Sequence, residues 1–314
     1  MTLGFLSRYK AFLLIVVVTA CGGERSEFLS IGTGGTGGIY YPLGGALANF
    51  LSLADSNRRY TAEVTGGSVE NVNRIATHDI DIGFAMGNTV ALAYHGDSVS
   101  GQAPNPNLRI LAPLYPNMVH VLVGERNQIA SLRDAAGRRI SVGSPGSGTE
   151  QAARELLQAY GLSYDDIDPQ FLSFRESADA LRDGAIDIAI IVVGYPASSV
   201  LEVTTSGVAR LIQVDSDQRD ILESETSYFS LGTIPAGAYP GVESDIPTVV
   251  VLNWLVGDVE LDSEPVTMLL DILGSNKNSL MQVHEIAGQI DLANLNESPA
   301  PLHPAVRSWL SGRN

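Results

Sequence analysis

The chain has 314 residues, enough for about two domains at roughly 100–200 residues each. A composition 45% hydrophobic and 17% charged excludes a disordered chain and a polytopic membrane protein. A formal charge of -16 excludes a uniformly basic nucleic-acid binder, because phosphate binding rests on clustered Lys and Arg, and a single cysteine leaves neither a disulfide framework nor a Cys-rich zinc site.

Residues 1–20 form a separate object. Arg8 and Lys10 precede the apolar run from Ala11 to Val18, and Thr19, Ala20 and Cys21 follow. A positive start, a short apolar stretch and small residues predict a secretory signal peptide, too short to span a bilayer comfortably. Val18-Thr19-Ala20-Cys21 resembles the bacterial lipobox, which makes Cys21 the candidate lipidation site and membrane anchor. An ordinary signal peptide with an incidental cysteine is the other reading. Residues 21–26 read as a flexible tether. Both readings take the chain out of the cytoplasm. Removing residues 1–20 removes two cations and no anions, leaving a charge of -18, which describes a solvated surface.

Along the rest of the chain, short apolar runs alternate with helical periodicity. Phe28 to Ile31 predicts a strand ending in Gly32-Thr33-Gly34-Gly35-Thr36-Gly37-Gly38, followed by a helix carrying Leu43, Leu47 and Leu51. Tyr60 to Val64 predicts a strand running into Thr65-Gly66-Gly67-Ser68, with Ser68 as the N-cap of a helix carrying Val69, Val72 and Ile75. Ile80 to Met86 and Leu108 to Leu114 read as further strands, and His120 to Gly124 as a separate apolar run. Leu132 to Gly137 reads as one helical turn. Arg139 to Val142 predicts a strand entering Gly143-Ser144-Pro145-Gly146-Ser147-Gly148-Thr149, followed by a helix from Glu150 to Tyr160 that stops at Gly161. Strands over 171–174, 186–193 and 209–214, with helices over 178–182 and 197–204, extend this second series. A late strand from Thr248 to Val256 precedes helices over 266–273 and 280–286. Strands separated by helices predict an α/β fold with mainly parallel sheets.

Gly32, Gly34 and Gly37 satisfy G-x-G-x-x-G after a strand, and Glu63 near the end of the next strand completes an approximate dinucleotide fingerprint. Five glycines in seven residues meet many glycine templates by chance, and an exported protein meets little nucleotide cofactor. An oxidoreductase is therefore a remote alternative, and no cofactor is expected. The second glycine loop has no lysine in the P-loop position, no Ser sits in G-x-S-x-G spacing, and the five histidines are scattered without zincin spacing. The sequence thus predicts no catalytic residue and no metal ligand. What the loops offer is backbone. Glycine lets the main chain approach a ligand closely, and a helix N-terminus adds unsatisfied N–H groups and a positive dipole end.

Ile31 to Gly44 and Thr65-Gly66-Gly67-Ser68-Val69-Glu70-Asn71 resemble the TAXI family, the TRAP-associated extracytoplasmic immunogenic solute receptors. Ser141 to Glu150 resembles a third block of that family. Leu114-Tyr115-Pro116, Gly194-Tyr195-Pro196, 234–240 and Leu302-His303-Pro304 are smaller matches. The resemblance implies a two-lobed periplasmic binding protein fold of type II, with residues 27–120 plus 245–314 in one lobe and 121–244 in the other. It implies capture of a small organic carboxylate or amino acid and delivery to TRAP membrane permease subunits. The ligand contacts it implies are Thr33, Gly37, Gly38, Tyr40, Gly67, Ser68, Asn88, Ser144, Gly146, Ser147, Gly148 and Thr149, with Tyr195 and Pro196 on the opposite wall. Tyr40 and Tyr115 also read as core aromatics. A periplasmic sensor subunit that reports a solute to a membrane signalling protein is the alternative use of the same cleft.

Overall fold

The computed structural model describes residues 27–97 and 101–313. The signal peptide, Cys21 and the tether lie outside the described residues.

The first unit is built as its periodicity predicts. β1 (Glu27–Gly32) runs into the first glycine loop, and α1 (Tyr40–Ala54) buries Leu43, Leu47 and Leu51 as one stripe. β2 (Arg58–Glu63), α2 (Ser68–Ala76), β3 (Ile82–Met86) and α3 (Gly87–His95) follow. β1 pairs in parallel with β2 and with β3. Ser68 is not the N-cap expected of it. Gly67 holds that position at φ 118°, a conformation that favours glycine, and the Ser68 hydroxyl instead accepts the Met86 N–H at 3.1 Å.

The runs at 108–114 and 120–124 are one strand, β4 (Leu108–Gly124). Pro116 lies opposite Leu252, beside an irregularity in the ladder, where a residue without an N–H is tolerated. The second parallel set contains β5 (Arg139–Ser141), β6 (Asp168–Gln170) and β7 (Ile188–Val193), with α4 (Gly148–Ala159) and α5 (Phe174–Asp183) between them. The strand expected over 171–174 is displaced to β6, because Ser173 and Glu176 form a reciprocal capping box that starts α5 at Phe174. α6 (Ser198–Thr205) and β8 (Ala209–Ile212) follow. α7 (Ser216–Glu225) and β9 (Phe229–Ile234) were not legible, since α7 buries only Gln218 and Leu222. β10 (Ile246–Asp258) returns through the sheet, and α8 (Ser263–Ser275), α9 (Lys277–Val283) and α10 (Pro304–Ser311) close the fold.

The strand order is β2-β1-β3-β10-β4-β7-β5-β6, with β8 on β4 and β9 on β10. Pairing is parallel within each outer set and antiparallel along β4 and β10, so the sheet as a whole is mixed. β4 and β10 are long enough to belong to both sets, and they join the two lobes. The loops that follow β1 and β2 in one lobe therefore face those that follow β5 and β6 in the other.

One buried side chain holds the first loop to the sheet. Asn71 on α2 donates to the Gly32, Thr33 and Phe84 carbonyls at 3.1, 2.7 and 2.8 Å. Its substitution by alanine leaves buried carbonyls short of a donor. We expect Asn71→Ala to lower unfolding free energy in urea by about 2–3 kcal/mol; a loss below about 1 kcal/mol would show that Asn71 does not pin the loop.

Candidate functional site

Four helices begin at one place. Tyr40, Ser68, Gly148 and Phe174 are the first residues of α1, α2, α4 and α5, and all four line a cleft of about 370 Å³ between the lobes. The N–H groups of a first helical turn have no intrahelical acceptor, and each helix adds the positive end of its dipole. Among the described residues the lining contains no carboxylate, and Arg175 is its one charged side chain. Glu70, Glu150 and Glu176 lie in the first turns of α2, α4 and α5 but outside the lining, so the lining itself carries only a positive side chain inside a protein of formal charge -16.

The loops of the two lobes touch. The Glu70 N–H donates to the Gly146 carbonyl at 3.0 Å. A Cβ added to Gly66 would lie 2.8 Å from the Pro145 carbonyl oxygen. One added to Gly148 would lie 2.7 Å from Ser68 Oγ and 2.8 Å from Met86 Sδ, so glycine is required for this approach. On the other side α5 faces the first loop, with a Cβ on Gly38 placed 3.6 Å from the Phe174 ring.

Of the positions singled out from sequence, Gly37, Gly38, Tyr40, Gly67, Ser68, Ser144, Ser147, Gly148 and Thr149 line the cleft. Thr33, Asn88, Gly146, Tyr195 and Pro196 do not. Thr33 is fully buried, and its hydroxyl donates to the Glu63 carbonyl at 2.6 Å, so it shapes the loop. Gly146 offers its carbonyl to Glu70. Tyr195 packs against the core. Glu63, the acidic member of the dinucleotide reading, is held by Arg74 at 2.7 Å. Several polar groups inside the cleft are also committed. Ser147 Oγ caps α4 by accepting the Glu150 N–H and donates to the Ser144 carbonyl, and Thr149 Oγ1 donates weakly to the Val192 carbonyl at 3.4 Å. This leaves the main-chain N–H groups of Gly148 and Thr149, with the Ser144 hydroxyl, as donors of that loop.

Sequence reasoning missed Asn117, Ser173, Phe174 and Arg175 in the wall. The Ser173-x-x-Glu176 spacing was the available signal for the last three, because it marks a helix start. The Tyr40 hydroxyl donates to Asn253 Oδ1 on β10. Burial pushes the Tyr40 and Tyr115 phenols above their usual range, so both remain neutral donors.

Asn88 belongs to a second contact between the lobes. Its Nδ2 donates to Glu155 Oε1 on α4 at 3.1 Å, and Tyr228 donates to Glu155 Oε2 at 2.8 Å. Thr89 donates to Gln151 beside it at 2.7 Å. Burial pushes the Glu155 carboxyl up to about 6, against the opposing effect of those two donors. A carboxyl raised above its unfolded value stabilises the fold below that value and loses the contribution as pH rises through about 6. Glu155→Gln should therefore be more stable than the wild type by about 2 kcal/mol at pH 7, with the difference vanishing near pH 4.5. Paired denaturation curves from pH 4.5 to pH 7 measure this, and a difference independent of pH would contradict it.

This architecture, two α/β lobes joined by crossing strands with glycine loops facing a central cleft, is that of the periplasmic solute-binding proteins. The model of the NMT1-like family matches residues 31–310. The chain belongs to the NMT1-like family. Among solved structures, PhnD1 from Prochlorococcus marinus in complex with methylphosphonate is similar at 13% identity and a TM-score of 0.55, covering 84% of this chain and 91% of that one. A Bordetella bronchiseptica protein is similar at 17% identity and a TM-score of 0.55, covering 92% and 89%. GshT, from glutathione import by way of GshT and a cystine ABC importer in Streptococcus mutans, is similar at 14% identity and a TM-score of 0.51, covering 87% and 99%. These matches correct the TAXI assignment and the TRAP permease partner that came with it. Gly66 and Gly148, in two of the blocks that suggested it, are required by the approach to Pro145 and to Ser68. They report how the lobes meet and not which class of receptor the chain belongs to.

Proposed function

We propose that this protein is the solute-capturing component of an uptake system outside the cytoplasm, and that its lobes close on a small organic oxyanion. The observation that carries this reading is the ring of four helix N-termini around a cleft that Arg175 lines and no described carboxylate does. Main-chain N–H groups and a guanidinium hold an oxyanion without a dedicated counter-charge on every side. In this reading residues 27–120 with 245–314 form one lobe and 121–244 the other, β4 and β10 act as the hinge, and ligand contacts to both lobes favour the closed form. The contacts are the main chain at Gly37, Gly38, Gly67, Ser68, Gly148 and Thr149, with Tyr40, Ser144 and Arg175. The leader exports the chain, Cys21 anchors it to the membrane, and a membrane transporter receives the solute.

PhnD1 was solved in complex with methylphosphonate, so phosphonate joins carboxylate among the headgroups to compare, with sulfonate as a third oxyanion. Isothermal titration of the purified protein against these anions and against neutral and cationic analogues should give binding to anions only. Equal binding of neutral analogues would refute the reading. Arg175→Gln should weaken the best anion about tenfold and flatten its salt dependence.

Closure has its own test. Gly148→Ala keeps a good helix former at the first position of α4 but sets a methyl against Ser68 and Met86. It should weaken binding about tenfold, by holding the lobes apart, with no loss of melting temperature. Unchanged affinity would show that the two loops need not meet for binding.

A further inference from the structure

The loops of the two lobes are in contact, yet about 370 Å³ stays open between them. That is room for on the order of a dozen waters, of which an oxyanion headgroup of a few atoms fills roughly a third. Apolar side chains face the remainder. Val64, just after β2, lines the cleft and is 54% exposed. Tyr40 and Phe174, the first residues of α1 and α5, also line it and are only partly buried. The Tyr40 hydroxyl is engaged by Asn253, which leaves its ring to a ligand.

Beside these side chains the first loop is bare backbone. Gly34, Gly35, Gly37 and Gly38 line the cleft, and Gly35 and Gly37 are exposed. Packing accounts for the glycines on either side: a Cβ on Gly32 would lie 2.4 Å from Ile80 Cδ1, and one on Gly44 would lie 2.4 Å from Thr33 Cγ2. Packing does not account for these four. None has a positive φ, and an added Cβ would meet protein no nearer than 3.5 Å, an ordinary contact, with nothing within 4 Å at Gly35. The Gly38 N–H closes a turn on the Gly35 carbonyl at 3.1 Å, and a turn without a positive φ suits most residues. Glycine here keeps clear a space that the protein itself does not fill.

We propose that the captured oxyanion carries a flat apolar body, an aromatic ring, which lies along the peptide groups of Gly34 to Gly38 against Val64 and the Tyr40 and Phe174 rings, with the headgroup at the N-termini of α2 and α4. The inference rests on the oxyanion reading above and adds the body of the ligand. Bare peptide groups admit a planar face closely, where a side chain would hold it off. Tyr40 and Phe174 add ring-to-ring contact that a saturated body cannot match.

The test uses carboxylate, sulfonate and phosphonate headgroups, each carried on a methyl, a cyclohexylmethyl and a benzyl group. In the headgroup series that binds best, titration of the wild-type protein should show the benzyl member bound at least about tenfold more tightly than the methyl member and at least about threefold more tightly than the cyclohexylmethyl member. A smaller ratio in either comparison overturns the inference while leaving the oxyanion reading intact. Binding of no member of any series overturns both. Gly35→Ala and Gly37→Ala should each keep the wild-type melting temperature, and at least one should weaken the benzyl member about tenfold while leaving the methyl member within about threefold. A lowered melting temperature in both would show that the fold itself requires glycine there, and unchanged benzyl affinity in both would seat the ring elsewhere; either result overturns the inference.

Discussion

Helix N-termini repel one another, because each carries the equivalent of about half a positive charge. Bringing four of them around about 370 Å³ is therefore an arrangement the chain must enforce. The sheet does so. β1 and β2 in one lobe, and β5 and β6 in the other, are parallel pairs, and each is followed within a few residues by the start of a helix. Parallel strands deliver successive helices to the same edge, and the shared strands β4 and β10 turn the two edges towards each other. In the proposed reading an anion in the cleft would relieve the repulsion, so the constraint that costs stability in the empty protein would supply differential affinity for the occupied one.

This is how a strongly acidic protein would serve as the anion receptor proposed above. No described carboxylate lines the cleft, and those nearest it are engaged: Glu70 accepts the Gly66 N–H and contacts Arg74, Glu150 is paired with Arg154, and Glu176 caps α5. The positive potential of the cleft comes from oriented peptide groups, and peptide groups leave no mark in a charge count. Local field and net charge are separate properties of this molecule.

The same fact set the limits of what was legible in the sequence. Glycine clusters after apolar runs revealed the loops, and the family resemblance supplied the lobes and the residues expected in the lining; close backbone approach requires glycine at Gly66 and Gly148 whatever the ligand. Thr33 and Asn88 misled for a related reason. A threonine in a glycine loop and an asparagine at a helix start look like ligand contacts, yet the first bonds Glu63 and the second bonds Glu155, contacts made only by the folded chain. Arg175 and Asn117 were hidden by the opposite effect. One lies within the capping box that opens a polar helix and the other falls between what read as two separate strands. Only tertiary pairing, α5 against the first loop and β4 against β10, places them in the wall. The glycine blocks also proved common to a fold rather than diagnostic of one receptor class, which is why the family assignment drawn from them needed correction.

The contacts of Gly66 with Pro145 and of Gly148 with Ser68 are made without intervening side chains on the glycine positions. At Gly66 the neighbour is itself main chain, so the spacing there is the thickness of two polypeptide backbones. Most surfaces in a protein adjust their spacing by exchanging one side chain for another, but at this point neither partner has one to shorten. A lineage that turned to a different solute would have to recut the walls around that contact, since the contact itself offers nothing to trim.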